Sequence, residues 1–400
     1  MALTTRAAKR LAALEADDLL RQPPAISQRH GVAYRLAGVP VVGFCSNDYL
    51  GLAGEPTASA GHATGAGASR LIAGDLSEHR DVEARLALVC RSEDAVLFPS
   101  GFQLNVGVIA ALVDPSDRVH SDRLNHASII DGLRLARARL TVLDHRATPA
   151  STTAGRDTLD WWFTESVFSM DGDRLDKHAL ATYQREGGTV YVDEAHAFGL
   201  FPGGAGLLHD HALQPDVLVG TLSKAYGCAG AFVAASSDVC RLIRNRARSF
   251  VFSTGVAPTV VADIAARIEF LTGEGGDARR TSLWRNVRRL DAALRGIRPD
   301  DSDAPSPIIP ILVGDNRTAL RIAARLLNEG IHVQAIRPPT VPQGTARLRL
   351  TVSASHSLAQ IDRLATLLHT VLAEEGLPLQ TMGQHARPSP TPTPTSAPQW

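Results

Sequence analysis

Between residues 90 and 236, short runs rich in β-branched and aromatic residues recur along the chain. They are "DAVLF" (94–98), "DRVHS" (117–121), "LTVLD" (140–144), "WWFTESVF" (161–168), "GTVYVDEA" (188–195), "DVLVGT" (216–221) and "GAFVAA" (230–235). Helical periodicity fills most of the gaps, as in "HASIIDGLRLAR" (126–137) and "DKHALATYQRE" (176–186). Strands alternating with helices predict an α/β fold whose mostly parallel sheet is covered on both faces. A helix-rich stretch at 257–295 follows, and then "SPIIPILVG", "TALRIAARLLNEG", "ARLRLTVS" and "LAQIDRLATLLHTVLA" read as a smaller C-terminal α/β unit. Near the N-terminus, "MALTTRAAKRLAALEADDLLRQ" reads as an amphipathic helix with Leu11, Leu14 and Leu19 near one face. The expected boundaries are a helix and arm at 1–45, a large domain at 46–295, a small domain at 296–376 and a Pro/Thr-rich, disordered tail at 377–400.

In open parallel sheets, ligands sit outside the carboxyl ends of the strands. The residues just past each run are therefore site candidates: Ser100-Gly101-Phe102, Asp122 with Asn125-His126, Ser169, Asp193-Glu194-Ala195-His196, and Thr221 with Lys224. One sheet edge gathers a lysine, an aspartate, histidines and hydroxyls. A solvated lysine at a strand exit and a loop-capping carboxylate are the ordinary alternatives for Lys224 and Asp193 taken singly.

Composition narrows the partners. The 41 basic and 41 acidic residues balance, which gives no sign of a nucleic-acid or anionic-membrane partner. No stretch approaches 18 consecutive apolar residues, and the N-terminus is too charged for a secretory signal. Cys45, Cys90, Cys228 and Cys240 have no CxxC or metal-ligand spacing, which suggests a reduced, cytoplasmic protein. "HDH" (209–211) lacks a third metal ligand at sensible spacing, so no metal is expected. HExxH, GxSxG and P-loop patterns are absent.

A lysine at such an edge suggests an amine nucleophile whose pKa burial depresses. Asp193 closes an apolar strand, where a lone carboxylate is costly without a cationic partner. A covalently bonding lysine together with an aspartate for a pyridinium nitrogen is the protein's side of pyridoxal 5'-phosphate (PLP) chemistry.

Seven ordered segments carry a resemblance. "SNDYLGL" (46–52), "GAGASRLIAG" (65–74), "FPSGFQLNVGVIAAL" (98–112), "DRLNHASIIDGLRLAR" (122–137), "TESVFSMDGD" (164–173), "VDEAHAFG" (192–199) and "GTLSKAYG" (220–227) resemble the α-oxoamine synthases. These are fold-type-I PLP transferases that condense an amino acid with an acyl thioester and release CO2. Within that family "VGDNRTAL" (313–320) and "AIRPPTVPQGTARLRLT" (335–351) are most similar to the biotin-pathway branch. That branch joins L-alanine to a pimeloyl group carried on CoA or on an acyl carrier protein. A glycine C-acetyltransferase-like activity is the enzymatic alternative, and a non-catalytic PLP-fold scaffold is the alternative of another class.

The resemblance implies roles. Lys224 bonds PLP and removes the substrate's α-proton, Asp193 pairs with the pyridinium nitrogen, His126 stacks on the ring, and His196 and Ser169 bond its phenolic oxygen. Gly101, Phe102 and Thr221 take the phosphate, while Ser253 reaches the phosphate site of the opposite subunit, which implies a homodimer with shared sites. Arg21, Asn47, His126, Thr340 and Arg349 face substrate, with Arg349 on the amino-acid carboxylate. Alternation in "ARLRLTVS" puts Arg347 and Arg349 on one face, turned to solvent or into a cleft. Arg347 is expected to tolerate lysine if it faces only solvent.

Overall fold

The computed structural model describes residues 2–56, 61–150, 158–210, 214–297 and 305–377. The predicted tail beyond 377, residues 57–60 and His211 of the "HDH" triplet lie outside the described residues.

The N-terminal arm holds α1 (Leu3–Ala16), β1 (Ile26–His30), β2 (Ala33–Leu36) and β3 (Val39–Gly43). The long central part holds α2 (Ser77–Cys90), β4 (Asp94–Phe98), α3 (Gly101–Leu112), β5 (Arg118–Asp122), α4 (Ala127–Ala136), β6 (Arg139–Leu143) and β7 (Asp160–Glu165). It continues through α5 (Lys177–Arg185), β8 (Thr189–Asp193), β9 (Val217–Thr221), β10 (Ala231–Ala235), α6 (Ser237–Arg246), α7 (Arg248–Val251), α8 (Pro258–Thr272) and α9 (Glu274–Ala293). The C-terminal part comprises β11 (Ile308–Gly314), α10 (Asn316–Asn328), β12 (Ile331–His332), β13 (Gln334–Ile336), β14 (Ala346–Thr351) and α11 (Leu358–Glu374).

The main sheet has the order β4-β10-β9-β8-β7-β5-β6. Neighbours from β9 to β6 pair parallel, and β10 alone runs against both β4 and β9. Strands β9 and β10 are buried throughout, as near-continuous apolar runs in a doubly covered sheet require. One face packs Val96, Val119, Phe163, Tyr191, Val219 and Val233 beneath residues of α3, α4 and α6. The other carries Leu97, Leu218 and Phe232 into a second core that includes Val82, Val261 and Val287 of α2, α8 and α9. Each such side chain contributes roughly 1.5–3 kcal/mol on full burial. Gly220 is fixed by that packing: a Cβ there would lie 2.5 Å from the Phe232 ring.

Two elements depart from the sequence expectations. Helix α1 buries no residue, and Leu11 and Leu14 stay exposed. Asp18 takes a left-handed φ of 55° just beyond the helix end, so Leu19 cannot continue its face. Strand β7 ends at Glu165, three residues before the expected Phe168. After it, Ser166 N donates to Asp193 O, and Val167 pairs only through a single bridge with Arg174, so the chain has already turned.

The arm's three strands pair in order and meet β12 in a parallel contact, Ile331 opposite Val42. Chain from the start and from the end of the molecule thus shares one sheet. A third sheet, β11-β14-β13, is antiparallel, and β14 is buried along its whole length. No helix among the described residues is long and apolar enough to cross a membrane.

Candidate active site

Parallel register sets the floor of the site. Glu165 at the end of β7 stands opposite Asp193 at the end of β8, and Asp193 stands opposite Val219 of β9. A cavity of about 260 Å³ opens at these strand ends, bounded by Gly101, His126, Glu165, Asp193, Thr221 and Lys224 among others.

Asp193 is buried, and its two oxygens are served separately. Asn105 Nδ2 donates to Oδ2 at 2.9 Å, and the backbone N–H of Ala195 donates to Oδ1 at 2.9 Å. Asn105 is itself held by the Tyr191 hydroxyl at 2.5 Å and donates to Ser128 Oγ at 2.9 Å. His126 caps α4: its Nδ1 accepts from Ser128 N at 3.3 Å and lies 2.7 Å from Ser128 Oγ. The backbone N–H of His126 donates to Glu165 Oε1 at 2.7 Å. Burial is the main force lowering the His126 pKa, against the opposing pull of Asp193. Glu165 is driven well above the usual carboxylate range, first by burial and then by Asp193 beside it.

Lys224 Nζ lies 2.7 Å from His196 Nε2. Burial pulls its pKa down to about 8, although Asp193 and Glu165 oppose the shift. At neutral pH a useful fraction of the amine is therefore neutral. His196 is pushed well below the ordinary imidazole value by burial and then by Lys224 and Arg349, which keeps it neutral.

The N-terminus of α3 opens onto the same cavity. Ser100 caps the helix by accepting from Gln103 N at 3.3 Å, and a side chain at Gly101 would reach within 4.0 Å of Thr221. The glycine thus leaves a cradle between the first-turn N–H groups and the Thr221 hydroxyl, which lies 2.8 Å from Ser223 Oγ. Such a cradle suits a phosphate.

A second group of expected residues forms a wall from distant chain segments. Arg349 Nη1 donates to Asn47 Oδ1 at 3.1 Å, and its Nε donates to the Ser169 carbonyl at 2.6 Å. Arg349 is only 6% exposed, so the solvent-facing alternative falls. Its Nη2 is buried with no partner among the described residues, an open donor of the kind that takes a carboxylate oxygen. Arg347 overturns its expectation: it is buried too, paired with Asp171, and its Nε donates to Thr345 O at 3.1 Å. The strand is covered on both faces, so neither arginine meets solvent.

Of the remaining expected residues, Phe102 lines this cavity, and Arg21, Ser169, Ser253 and Thr340 do not. Arg21 Nη2 donates to Pro338 O at 3.1 Å and Thr340 Oγ1 at 3.4 Å, so those two sit together, away from the cavity floor. Phe102 stands half-exposed, edge-on to His126 at a centroid separation of 6.5 Å. Ser253, with an exposed hydrogen bond to Thr254 O, is absent from the lining of its own chain's cavity. Ser169 contributes its carbonyl to Arg349 and does not line the cavity.

Sequence reasoning passes over Glu165, Asn105 and Tyr49. Extending β7 to Phe168 hides Glu165; the strand-end rule applied at the true end names it. Asn105 carries a signal as a lone amide in the apolar helix "GFQLNVGVIAAL". Tyr49 carries none, because its partner lies 147 residues away.

The family model for class I and II aminotransferases matches residues 39–368. An 8-amino-7-oxononanoate synthase of Herminiimonas arsenicoxydans is 40% identical over 375 residues, 90% of this chain and 97% of the relative. One from Anaeromyxobacter dehalogenans is 44% identical over 385 residues, 92% of this chain and 95% of the relative. Among solved structures, a serine palmitoyltransferase of S. paucimobilis with bound PLP–myriocin superposes with a TM-score of 0.84 at 26% identity, covering 94% of this chain and all of that one.

Proposed function

We propose, for a chain that belongs to the class I and II aminotransferase family and within it to the 8-amino-7-oxononanoate synthases, that it joins L-alanine to a pimeloyl thioester. The products are 8-amino-7-oxononanoate, CO2 and the free thiol, a step of biotin biosynthesis, and the cofactor is PLP. The observation that carries the reading is Lys224 and Asp193 on one cavity, with Lys224 linked through His196, Tyr49 and Asn47 to an arginine with a donor to spare.

The residues fit the cofactor on their own chemistry. A buried carboxylate, a lysine with a lowered pKa and a helix N-terminus beside a threonine answer its ring nitrogen, carbonyl carbon and phosphate. PLP, once bound, supplies a ring that withdraws the electron pair left on the substrate's Cα. Lys224 bonds the cofactor and, when released, accepts the Cα proton at Nζ. Asp193 keeps a proton on the ring nitrogen. Gly101 and Phe102 offer backbone N–H groups, and Thr221 a hydroxyl, to the phosphate. His196 addresses the phenolic oxygen, and His126 stands at the cavity edge toward the incoming acyl carbonyl. Arg349 and Asn47 hold the alanine carboxylate, leaving Arg21 and Thr340 for the acyl partner.

The reading includes a homodimer. Apolar side chains of Leu71, Ile72, Leu88 and Phe252 are exposed, a surface that supports a second copy covering it. Ser253 follows Phe252 and reaches the partner's phosphate site. Mixing Lys224→Ala chains with chains defective at Ser253 tests this, because one of the two mixed sites escapes both lesions. Heterodimers without recovered activity overturn the shared site. Four unbridged cysteines fit a cytoplasmic enzyme. The function itself is tested by supplying L-alanine with pimeloyl-CoA or a pimeloyl acyl carrier protein and weighing the product. An enzyme that turns over only glycine with a short acyl thioester overturns the substrate assignment.

A further inference from the structure

Tyr49 is fully buried, and its hydroxyl is shared between two neighbours. His196 Nδ1 lies 2.7 Å away, and Asn47 Oδ1 lies 3.3 Å away. Asn47 Oδ1 already receives Arg349 Nη1 at 3.1 Å, and the opposite nitrogen of His196, Nε2, faces Lys224 Nζ at 2.7 Å. Arg349, Asn47, Tyr49, His196 and Lys224 therefore form an unbroken hydrogen-bonded file from the substrate wall to the cofactor lysine.

The file has a direction set by proton counting. Burial lifts the phenol pKa to about 12, so Tyr49 carries one hydroxyl proton at neutral pH. His196 is held neutral, so its ring also carries one proton. If that proton sat on Nδ1, it would occupy the short contact, and the tyrosine would have to donate across the longer one to an oxygen that Arg349 already serves. If it sits on Nε2, Tyr49 donates over 2.7 Å to Nδ1, and Nε2–H donates over 2.7 Å to Lys224 Nζ in its neutral form, the form that bonds the cofactor. We propose that Tyr49 is a positioning residue that fixes His196 as the Nε2–H tautomer, so that the imidazole presents a donor to the cavity. This rests on the PLP reading above, in which His196 addresses the phenolic oxygen of the cofactor.

A phenolate that loses a donor binds its proton more tightly, so the pH at which the cofactor's visible absorption changes must rise. Tyr49→Phe keeps the ring that fills the core and removes only the hydroxyl. In PLP-loaded protein its spectral midpoint should move up by about one pH unit, a tenfold change in the protonation equilibrium. The same substitution in a His196→Gln background should move the midpoint no further, since the group through which Tyr49 acts is gone. Tyr49→3-fluorotyrosine, a stronger donor of nearly the same shape, should move the midpoint down, and it decides the matter if Tyr49→Phe does not fold. An unmoved midpoint in Tyr49→Phe or in the fluorinated protein overturns the inference, as does an equal shift with and without His196. A wild-type chain that takes up no PLP overturns the functional reading and this inference with it, an outcome distinct from a loaded enzyme whose midpoint ignores Tyr49.

Discussion

The sheet-edge floor of the cavity and the wall of Asn47, Tyr49 and Arg349 both bury polar groups, but they assemble them differently. Glu165, Asp193 and Thr221 are last residues of neighbouring strands, brought within a strand spacing or two of one another by parallel pairing. Asn47 and Arg349 are 302 residues apart and meet because the arm's sheet borrows β12 and the chain returns through β14. Electrostatics differ in the same sense. The floor sets a lysine against two carboxylates, whereas the wall keeps one guanidinium nitrogen open for an anion. A change on the floor should therefore remove chemistry, and a change in the wall should loosen substrate or docking.

The largest effect expected is Lys224→Ala, which removes both the covalent anchor and the base. Activity should fall by at least ~10²–10⁴, and borohydride should trap no cofactor on the chain. Asp193→Asn comes next, with a loss of ~10²–10³ in turnover, measured with PLP content held equal to wild type. An unchanged rate in either variant breaks the description of the floor.

The wall predicts a different signature. Arg349→Lys should weaken L-alanine binding by roughly 1.5–3 kcal/mol, because a lysine cannot make the paired contacts of the guanidinium. PLP should remain bound, and an L-alanine titration of the cofactor spectrum reads the change. Two residues away, Arg347→Met should leave alanine affinity nearly unchanged but strip Asp171 of its partner. A stability loss of about 1–3 kcal/mol is expected, seen as a lower midpoint in a denaturant melt. If both variants lose alanine affinity equally, the two arginines do not divide binding from docking.

The smallest effect concerns the turn that holds Arg349. His145 sits between Asp122, 3.1 Å from Nδ1, and Asp173, 2.6 Å from Nε2. Burial disfavours the charge, but hydrogen bonds to the two aspartates outweigh it and raise the His145 pKa to about 10, above the ordinary 6.5. The folded state thus holds more protons than the unfolded chain between those values. The stabilisation is complete below pH 6.5 and is lost as pH rises through about 10. Lys224 works in the opposite sense: lowered from 10.5 to about 8, it makes the cofactor-free fold gain stability over that interval. Melts of His145→Gln from pH 6 to 10 should accordingly lack part of the alkaline decline of wild type. Identical pH profiles would remove the clamp from the wall.

Much of the floor was legible in the sequence. Apolar runs and their helical spacers located the seven strands of the main sheet, and the residues just past those runs put Gly101, His126, Asp193, His196, Thr221 and Lys224 on one edge. That works because parallel strands buried on both faces need continuous apolar sequence, and because polar residues can begin only where the sheet stops. The limit of such reading shows at β7, where apolar Val167 and Phe168 resume beyond the last strand residue, so pattern alone places the end at Phe168 instead of Glu165.

The wall was decided by tertiary structure. Strands β1, β2, β3, β12 and β13 are short and weakly patterned: the first three pair in order, β12 returns from far along the chain to pair with β3, and β13 is held by β14. Alternation along "ARLRLTVS" correctly placed Arg347 and Arg349 on one face, yet it could not say what covers that face. The covering comes from Asp171, Ser169 and Asn47, supplied by turns more than 170 residues away. Local sequence fixes period and propensity, which are properties of neighbours along the chain. Whether a buried arginine is neutralised by a carboxylate or left with a donor for substrate depends on which distant segment packs against it, and only the folded chain contains that choice.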